Sequence, residues 1–297
     1  MEYILHLFII IAFYTLLSQS LNFFAGFTRL ISLAQAGFYG IGAYTTAILS
    51  IHYGLPFWIN IVIAMLLNGI IALIISLIIM RTIEDYFIIC TLGIQVIIFS
   101  IVNNWMPLTN GPIGISGIPS LFFRENSFYN KIFFLILASF FVTIVWLMLK
   151  KLSNSGFGNI LKAIGEDEIY TQSVGKNVYL SKIISFIISA ILTAIPGVLY
   201  AHYFSYIDPT SFTITESIFI LSIVIIGGLG DFTGSFLAAI FVVLFPEVLR
   251  VIGMPNNIAA NVRQLIYGVI LVAIVMTDKK GIKKPSNKVF TRISKIV

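Results

Sequence analysis

Residues 30–80 read LISLAQAGFYGIGAYTTAILSIHYGLPFWINIVIAMLLNGIIALIISLIIM, without one Asp, Glu, Lys or Arg. A helix needs about 20 consecutive apolar residues to cross the hydrocarbon of a bilayer, so this run is too long for one span and long enough for two. His52, Gly54 and Pro56 supply the break, which predicts spans over Ser32–Ile51 and Phe57–Met80. The rest of the chain has the same character. Of its 297 residues, 59% are hydrophobic and 10% charged, too little polar surface to clothe a soluble globule. The fold class that follows is all-α, a polytopic membrane bundle of about nine (8–10) transmembrane helices.

Working outward, further apolar runs predict spans at about Tyr3–Phe24, Tyr86–Trp105, Lys131–Leu149, Ile183–Phe204, Thr213–Gly227, Phe232–Leu249 and Ile258–Thr277. The seventh of the nine is short, and one run can be re-entrant. Met1-Glu2-Tyr3 lacks the basic n-region of a secretory signal, so the first span is expected to be retained. Domain organisation is expected to be one transmembrane unit over 1–281 and a basic tail over 282–297.

The net charge of +6 comes from basic residues that gather at the ends of apolar runs rather than on an aromatic-studded face, which argues for membrane topology and against nucleic acid. Placing Lys150–Lys182 in the cytoplasm puts Arg29, Arg81, Lys150, Lys151, Lys162, Lys176, Lys182, Lys279, Lys280, Lys283, Lys284, Lys288, Arg292 and Lys295 inside. Arg124, Lys131, Arg250 and Arg263 then lie outside, a split of 14 to 4 that fits the positive-inside rule with the N-terminus out and the tail in.

The polar interruption KKLSNSGFGNILKAIGEDEIYTQSVGKNVYLSK, Lys150–Lys182, reads as two short capped helices. Asn154 or Ser155 can cap the first, Ile160, Leu161 and Ile164 give it an apolar face, and Gly165 can end it. Glu166, Asp167 and Glu168 fall in the first turn of the second, where negative charge suits the helix dipole, and Gly175 can close it. A compact docking element and an amphipathic helix lying on lipid headgroups both fit this pattern.

Chemistry-bearing motifs are sparse. His6, His52 and His202 stand at no metal-ligand spacing, and the single cysteine, Cys90, allows neither an intrachain disulfide nor a cysteine-based metal site. There is no phosphate-binding GxxxxGK[ST], so the chain is not expected to bind ATP itself, and no nucleophile elbow. No catalytic constellation is expected. Polar residues within spans need a partner or a water-filled path. Those singled out as candidate path residues are Gln35, Tyr44, Thr91, Gln95, Asn103 and Glu216, with Asn22 and Asn104 of the same type. Glu216, expected near the outer side, can line a path or serve its helix end. Small residues at Ala36, Gly37, Gly40, Gly42, Ala43 and Ala47, and at Gly227, Gly228, Gly230, Gly234 and Ala238, predict close helix packing.

Five segments taken in order carry a resemblance: SLAQAGFYGIGAYTTAIL (Ser32–Leu49), EDYFIICTLG followed by NNWMPLTNGPIGISGIP (within Glu84–Pro119), GFGNILKAIGEDEIYTQSVGKNV (Gly156–Val178), LYAHYFSYIDPTSFTITESI (Leu199–Ile218) and IIGGLGDFTGSFLAA (Ile225–Ala239). Together they resemble the permease subunit of bacterial branched-chain amino-acid ABC importers, nearly over the whole chain. The resemblance implies an inner-membrane, multi-pass subunit that works with a second permease subunit, cytoplasmic ABC ATPase subunits and an extracytoplasmic solute-binding protein. ATP and magnesium would sit on the ATPases and no cofactor on this chain. It also implies that the loop 152–181 docks on the ATPase. Gly158, Ala163, Glu166, Asp167, Glu168 and Gly175 occupy matching positions, and docking energy is expected mainly from Ile160, Leu161 and Ile164. Asn159 and Gly165 stand where the family often has arginine. Related permeases carry sugars or urea. A stand-alone carrier would usually show a paired intramembrane charge, and Glu216 has no basic neighbour in sequence.

Overall fold

The computed structural model describes residues 2–82, 84–121 and 127–251. In order they form α1 (Glu2–Thr28), α2 (Gln35–His52), α3 (Phe57–Ile79), α4 (Glu84–Asn104), the single turn α5 (Met106–Thr109), β1 (Ile115–Ser116), α6 (Ser127–Ser153), α7 (Gly156–Glu166), α8 (Glu168–Ser173), α9 (Val178–Phe204), β2 (Tyr206–Ile207), α10 (Ile214–Gly227) and α11 (Phe232–Val251). Eight of these, α1 to α4, α6 and α9 to α11, match the first eight expected spans. Five of them, from α1, α3, α4, α6 and α9, are long and apolar enough to cross a membrane on length and composition alone. The ninth expected span, the tail and the boundary at 281 lie outside the described residues.

Charge sets the two ends of the bundle. Lys162 lies over the Phe27 ring at the end of α1, and Arg81 lies over the Tyr179 ring at the start of α9. With Lys150 and Lys151 in the last turn of α6, these residues define a basic face. At the opposite face Lys131 pairs with Glu2 at 2.9 Å, and the imidazole of His6 lies 2.7 Å from the Tyr203 hydroxyl.

α1 and α9 are mostly buried, whereas α3, α4 and α6 expose most of their apolar surface, as lipid-facing helices do. The middle of the bundle is a close crossing of α2 and α9. A Cβ on Gly42 would stand 2.9 Å from the Ala194 carbonyl, and one on Gly197 would stand 2.5 Å from the Tyr39 carbonyl. Glycine at both places lets the two backbones touch, the packing that small residues permit where no hydrophobic force drives helices together. Pro196 lies inside α9 beside this contact and removes one backbone donor from the helix ladder.

One span needs correction. The second span does not start at Ser32. Arg29 turns the chain with φ +58, residues 30–34 run back into the bundle without helical structure, and α2 begins at Gln35. Its side chain donates to Ser20 Oγ at 2.8 Å. Ser20 lies eight residues before the end of α1, so α2 starts about 12 Å inside the bundle at 1.5 Å per residue. Non-helical backbone at that depth needs protein partners. The amides of Leu30, Leu33 and Ala34 donate to Thr28 Oγ1, Thr91 Oγ1 and Ser32 Oγ, and the first-turn amides of α2 at Ala36 and Gly37 donate to Ser217 Oγ and Gln95 Oε1.

The glycine-rich connection after α4 is held to the bundle by backbone bonds. β1 pairs antiparallel with β2, Ile115 opposite Ile207, and the amides of Gly117 and Ile118 both donate to the Ser205 carbonyl. His202 Nδ1 lies 2.8 Å from the Pro119 carbonyl, a contact that assigns the proton to Nδ1. The connection is thus fastened over the end of α9.

Candidate coupling element and central cavity

Within the Lys150–Lys182 interruption, between the end of α6 and the start of α9, the chain folds as the two short helices α7 and α8. Ser155, not Asn154, caps α7, its hydroxyl accepting from Gly158 N at 3.3 Å. Gly158 faces the end of α6 so closely that a Cβ would lie 2.3 Å from the Ser153 carbonyl. α7 does not end at Gly165. The helix runs on to Glu166, and Gly165 instead lets α7 lie on α1, where a Cβ would meet the Phe27 carbonyl at 2.5 Å. Asp167 terminates α7 with extended backbone and caps α8 by accepting from Tyr170 N at 2.9 Å. Gly175, at φ +79, turns the chain into α9. That left-handed geometry costs other residues roughly 1–2 kcal/mol.

The three acids have separate placements. Glu166 is the last residue of α7 and exposed, and Asp167 is spent on the cap. Glu168, half-exposed, forms an ion pair with the buried ammonium of Lys182 in α9. The pair ties α8 directly to the central helix.

The apolar side chains require a reassignment of roles. Leu161 and Ile164 are fully or nearly fully buried in the same cluster as Phe27, Leu149 and Val178, with Ile160 partly buried against it and Ala163 half-buried. Leu161 and Ile164 thus bind α7 to the bundle and offer almost no surface to a partner, while Ile160 and Ala163 keep part of theirs. The exposed apolar surface lies on and just after α8: Ile169 at 81%, Tyr170 at 63% and Val174 at 59% of full exposure. Sequence reasoning overlooked these three. The signal was present, since an isoleucine and a tyrosine follow directly on three acids, but only the bundle shows which face is free.

Of the six candidate path residues, three stitch the bundle together. Gln35 donates to Ser20 and Thr193, Thr91 donates to the Ile88 carbonyl and accepts from Leu33 N, and Gln95 joins Gly37 of α2 to the Phe212 carbonyl. Asn103 is half-buried at the end of α4, where its carbonyl abuts Gly111. Tyr44 is buried, its hydroxyl has no hydrogen-bond partner among the described residues, and it lines an apolar cleft of about 430 Å³ between α2, α3 and α4.

Glu216 stands apart. It is half-buried in the first turn of α10 and lines a cavity of about 260 Å³ with Tyr14, Tyr39, Tyr200 and Ser211. The cavity also touches Ile10 and Leu17, about 12 to 22 Å along α1 from Glu2, and reaches Phe204 at the end of α9. The carboxylate is within electrostatic reach of Tyr39 and Tyr200. Tyr200 donates to Ser211 at 3.1 Å.

Comparison with known proteins agrees with this architecture. Residues 3–275 match the family described as "Branched-chain amino acid transport system / permease component". The chain is 34% identical over 260 residues to the high-affinity branched-chain amino acid transport system permease protein LivM of Escherichia coli K12, covering 80% of this chain and 61% of that protein. For LivM of Salmonella typhimurium LT2 the identity is 33%, with the same shares of 80% and 61%. A probable branched-chain amino acid transport permease protein LivM of Methanocaldococcus jannaschii is 26% identical over 67% of this chain and 60% of its own length. The chain therefore spans about 61% of the length of the first two relatives. No solved structure matches. On the match over nearly its whole length, the chain belongs to the permease-component family of branched-chain amino acid transport systems.

Proposed function

We propose that this chain is the inner-membrane permease subunit of an ATP-driven ABC importer for branched-chain amino acids. Its partners would be a second permease subunit, cytoplasmic ABC ATPases that hold ATP and magnesium, and an extracytoplasmic solute-binding protein. The observation that carries the reading is the exposed patch of Ile169, Tyr170 and Val174 on an element otherwise locked to the bundle. Burying such side chains in a partner stabilises by about 1.5–3 kcal/mol each, whereas an exposed acid such as Glu166 contributes about 1 kcal/mol or less.

Movement of the ATPases would be transmitted along two routes. The Glu168–Lys182 pair links α8 to α9, and the contacts of Gly165 and Lys162 with Phe27 link α7 to α1. α1 and α9 are also walls of the Glu216 cavity, so a tilt of either reshapes it. The opposite face, where β1 and β2 fasten the glycine-rich connection over α9, is the surface for the solute-binding protein.

The reading is tested in proteoliposomes holding this chain with its partner subunits, by following ATP hydrolysis and labelled leucine uptake. Ile169→Asp/Val174→Asp is expected to abolish uptake and to separate the ATPases from the membrane subunits, while the permease pair stays assembled. Normal uptake by the double variant would overturn the docking surface. Leucine uptake by this chain without any ATPase would overturn the importer reading.

A further inference from the structure

We infer that the cleft between α2, α3 and α4 is a binding site for one acyl chain of a phospholipid, which enters from the leaflet opposite the basic face and lies along α2. Such a site is independent of which solute the importer carries.

The cleft exists because α3 and α4 each pack on α2 but barely on each other. Along α2 it runs from Ile41 to Leu49, a rise of about 12 Å at 1.5 Å per residue, close to the hydrocarbon depth of one leaflet, about 15 Å. Aromatic side chains mark the level of its mouth. Tyr53 after α2, Trp58 in the first turn of α3 and Trp105 after α4 are all exposed, and Trp and Tyr gather where hydrocarbon gives way to headgroups. Trp105 also lines the cleft, so a lipid seated there has its headgroup at the indole and its tail below.

The lining selects hydrocarbon over a polar ligand. No charged residue belongs to it among the described residues. The Thr45 hydroxyl is spent on the Ile41 carbonyl and the Thr109 hydroxyl on the carbonyls of Val102 and Trp105. The Tyr44 hydroxyl is buried out of a ligand's reach. The cleft is also continuous with the surface that meets the bilayer, since Leu67, Ile101, Trp105 and Leu108 belong both to its lining and to the exposed apolar surface. A second helix fits this mouth poorly. Helices meet in membranes through small residues that let backbones approach, and these four side chains are large.

An acyl chain in the cleft acts on α2. Ile41, Tyr44, Thr45 and Ile48 recur at helical spacing on the side of α2 away from Tyr39, Gly42 and Ala43, which meet α9 at the close crossing. The tail fills the space behind α2 and holds that helix against α9.

The test places the full importer in nanodiscs containing a phospholipid with a diazirine on its acyl chain, and maps the photolabel by mass spectrometry. Ile70 and Ile74 of α3 are exposed outside the cleft and serve as the bulk-lipid control. Labelling of Ile41, Thr45 and Ile48, half-buried on the cleft wall, is the expected result. Ile48→Trp fills the cleft and is expected to abolish the label on α2 while leaving it on Ile70 and Ile74. Label confined to α3 and α4 in the wild-type importer would overturn the site, leaving ordinary contact with bulk lipid only. Label on α2 in the isolated chain but not in the full importer would also overturn it and assign the cleft to a helix of the second permease subunit. Equal labelling of α2 in Ile48→Trp would show that the tail reaches α2 by another route. The wild-type map decides the matter even where Ile48→Trp does not fold.

Discussion

Asn22 Oδ1 accepts the amide of Gly230 at 2.7 Å, across more than two hundred residues of chain. Its Nδ2, with two hydrogens to give, lies within hydrogen-bond distance of three acceptors, the carbonyls of Gly228 and Asp231 and Ser235 Oγ. One buried side chain thus bonds the backbone of the turn between α10 and α11, whose residues 228–231 are half-buried to exposed. Such a bond contributes about 0.5–1.5 kcal/mol, and a partner left unsatisfied away from water costs about 1–3 kcal/mol. Asn22→Leu is therefore expected to destabilise by about 2–4 kcal/mol and to free the turn, read as a lower thermal midpoint of the purified protein. An unchanged midpoint would show that the turn finds other partners. Asn22→Asp keeps the acceptor for Gly230 but sets a charge against two carbonyls, and is expected to be at least as damaging.

The two helices of the coupling element should separate stability from coupling. Leu161 is fully buried, so Leu161→Ala is expected to cost about 2–5 kcal/mol of stability, through lost burial and the cavity left behind. Ile169 is 81% exposed, so Ile169→Ala should leave the thermal midpoint within about 0.5 kcal/mol while lowering solute-coupled ATP hydrolysis. The opposite pattern would return the docking surface to α7.

The sequence made most of this architecture legible, and the particular places it did not are informative. Span positions follow from gaps between charges, a local property, so α3 and α9 fall close to expectation. The start of α2 was hidden because Leu30 to Ala34 is as apolar as the helix it precedes, and composition cannot tell a helix from a protein-wrapped extended segment. The apolar face of α7 was legible in its periodicity. Whether that face meets a partner or the chain's own bundle depends on Phe27, Leu149 and Val178, distant in sequence. The same holds for Lys182, which reads as one more cytoplasmic positive charge until Glu168 is found beside it.

That ion pair supports a double-variant test. Lys182 is nearly fully buried and Glu168 about half-exposed, so removing the carboxylate leaves a buried ammonium uncompensated. Glu168→Gln is expected to cost about 1–3 kcal/mol, less than a fully buried pair because solvent still reaches the acid side. Glu168→Gln/Lys182→Met should recover most of that loss, because the stranded charge is gone. Thermal midpoints of the two single variants and the double variant measure it. If the pair also transmits movement from α8 to α9, the double variant will be stable yet show ATP hydrolysis that no longer responds to solute. A double variant with normal coupling would move the whole burden of transmission to the α7–α1 contact.

Gly114 and Gly117 flank the β1 strand, both with positive φ, and only one of them is hemmed in. A Cβ on Gly114 would lie 2.2 Å from the Ile207 carbonyl, whereas one on Gly117 meets nothing within 4 Å. Gly117→Ala should therefore cost only the left-handed strain, about 1–2 kcal/mol. Gly114→Ala adds a backbone collision that no side-chain rotation relieves, so it is expected to separate β1 from β2. Hydrogen exchange reads this directly, because the amides of Gly117 and Ile118 donate to the Ser205 carbonyl only while the two segments are joined. Faster exchange of the Ile118 amide in Gly114→Ala, but not in Gly117→Ala, is the expected outcome. Protection that stays at the wild-type level would show that the connection is anchored by His202 and Pro119 alone.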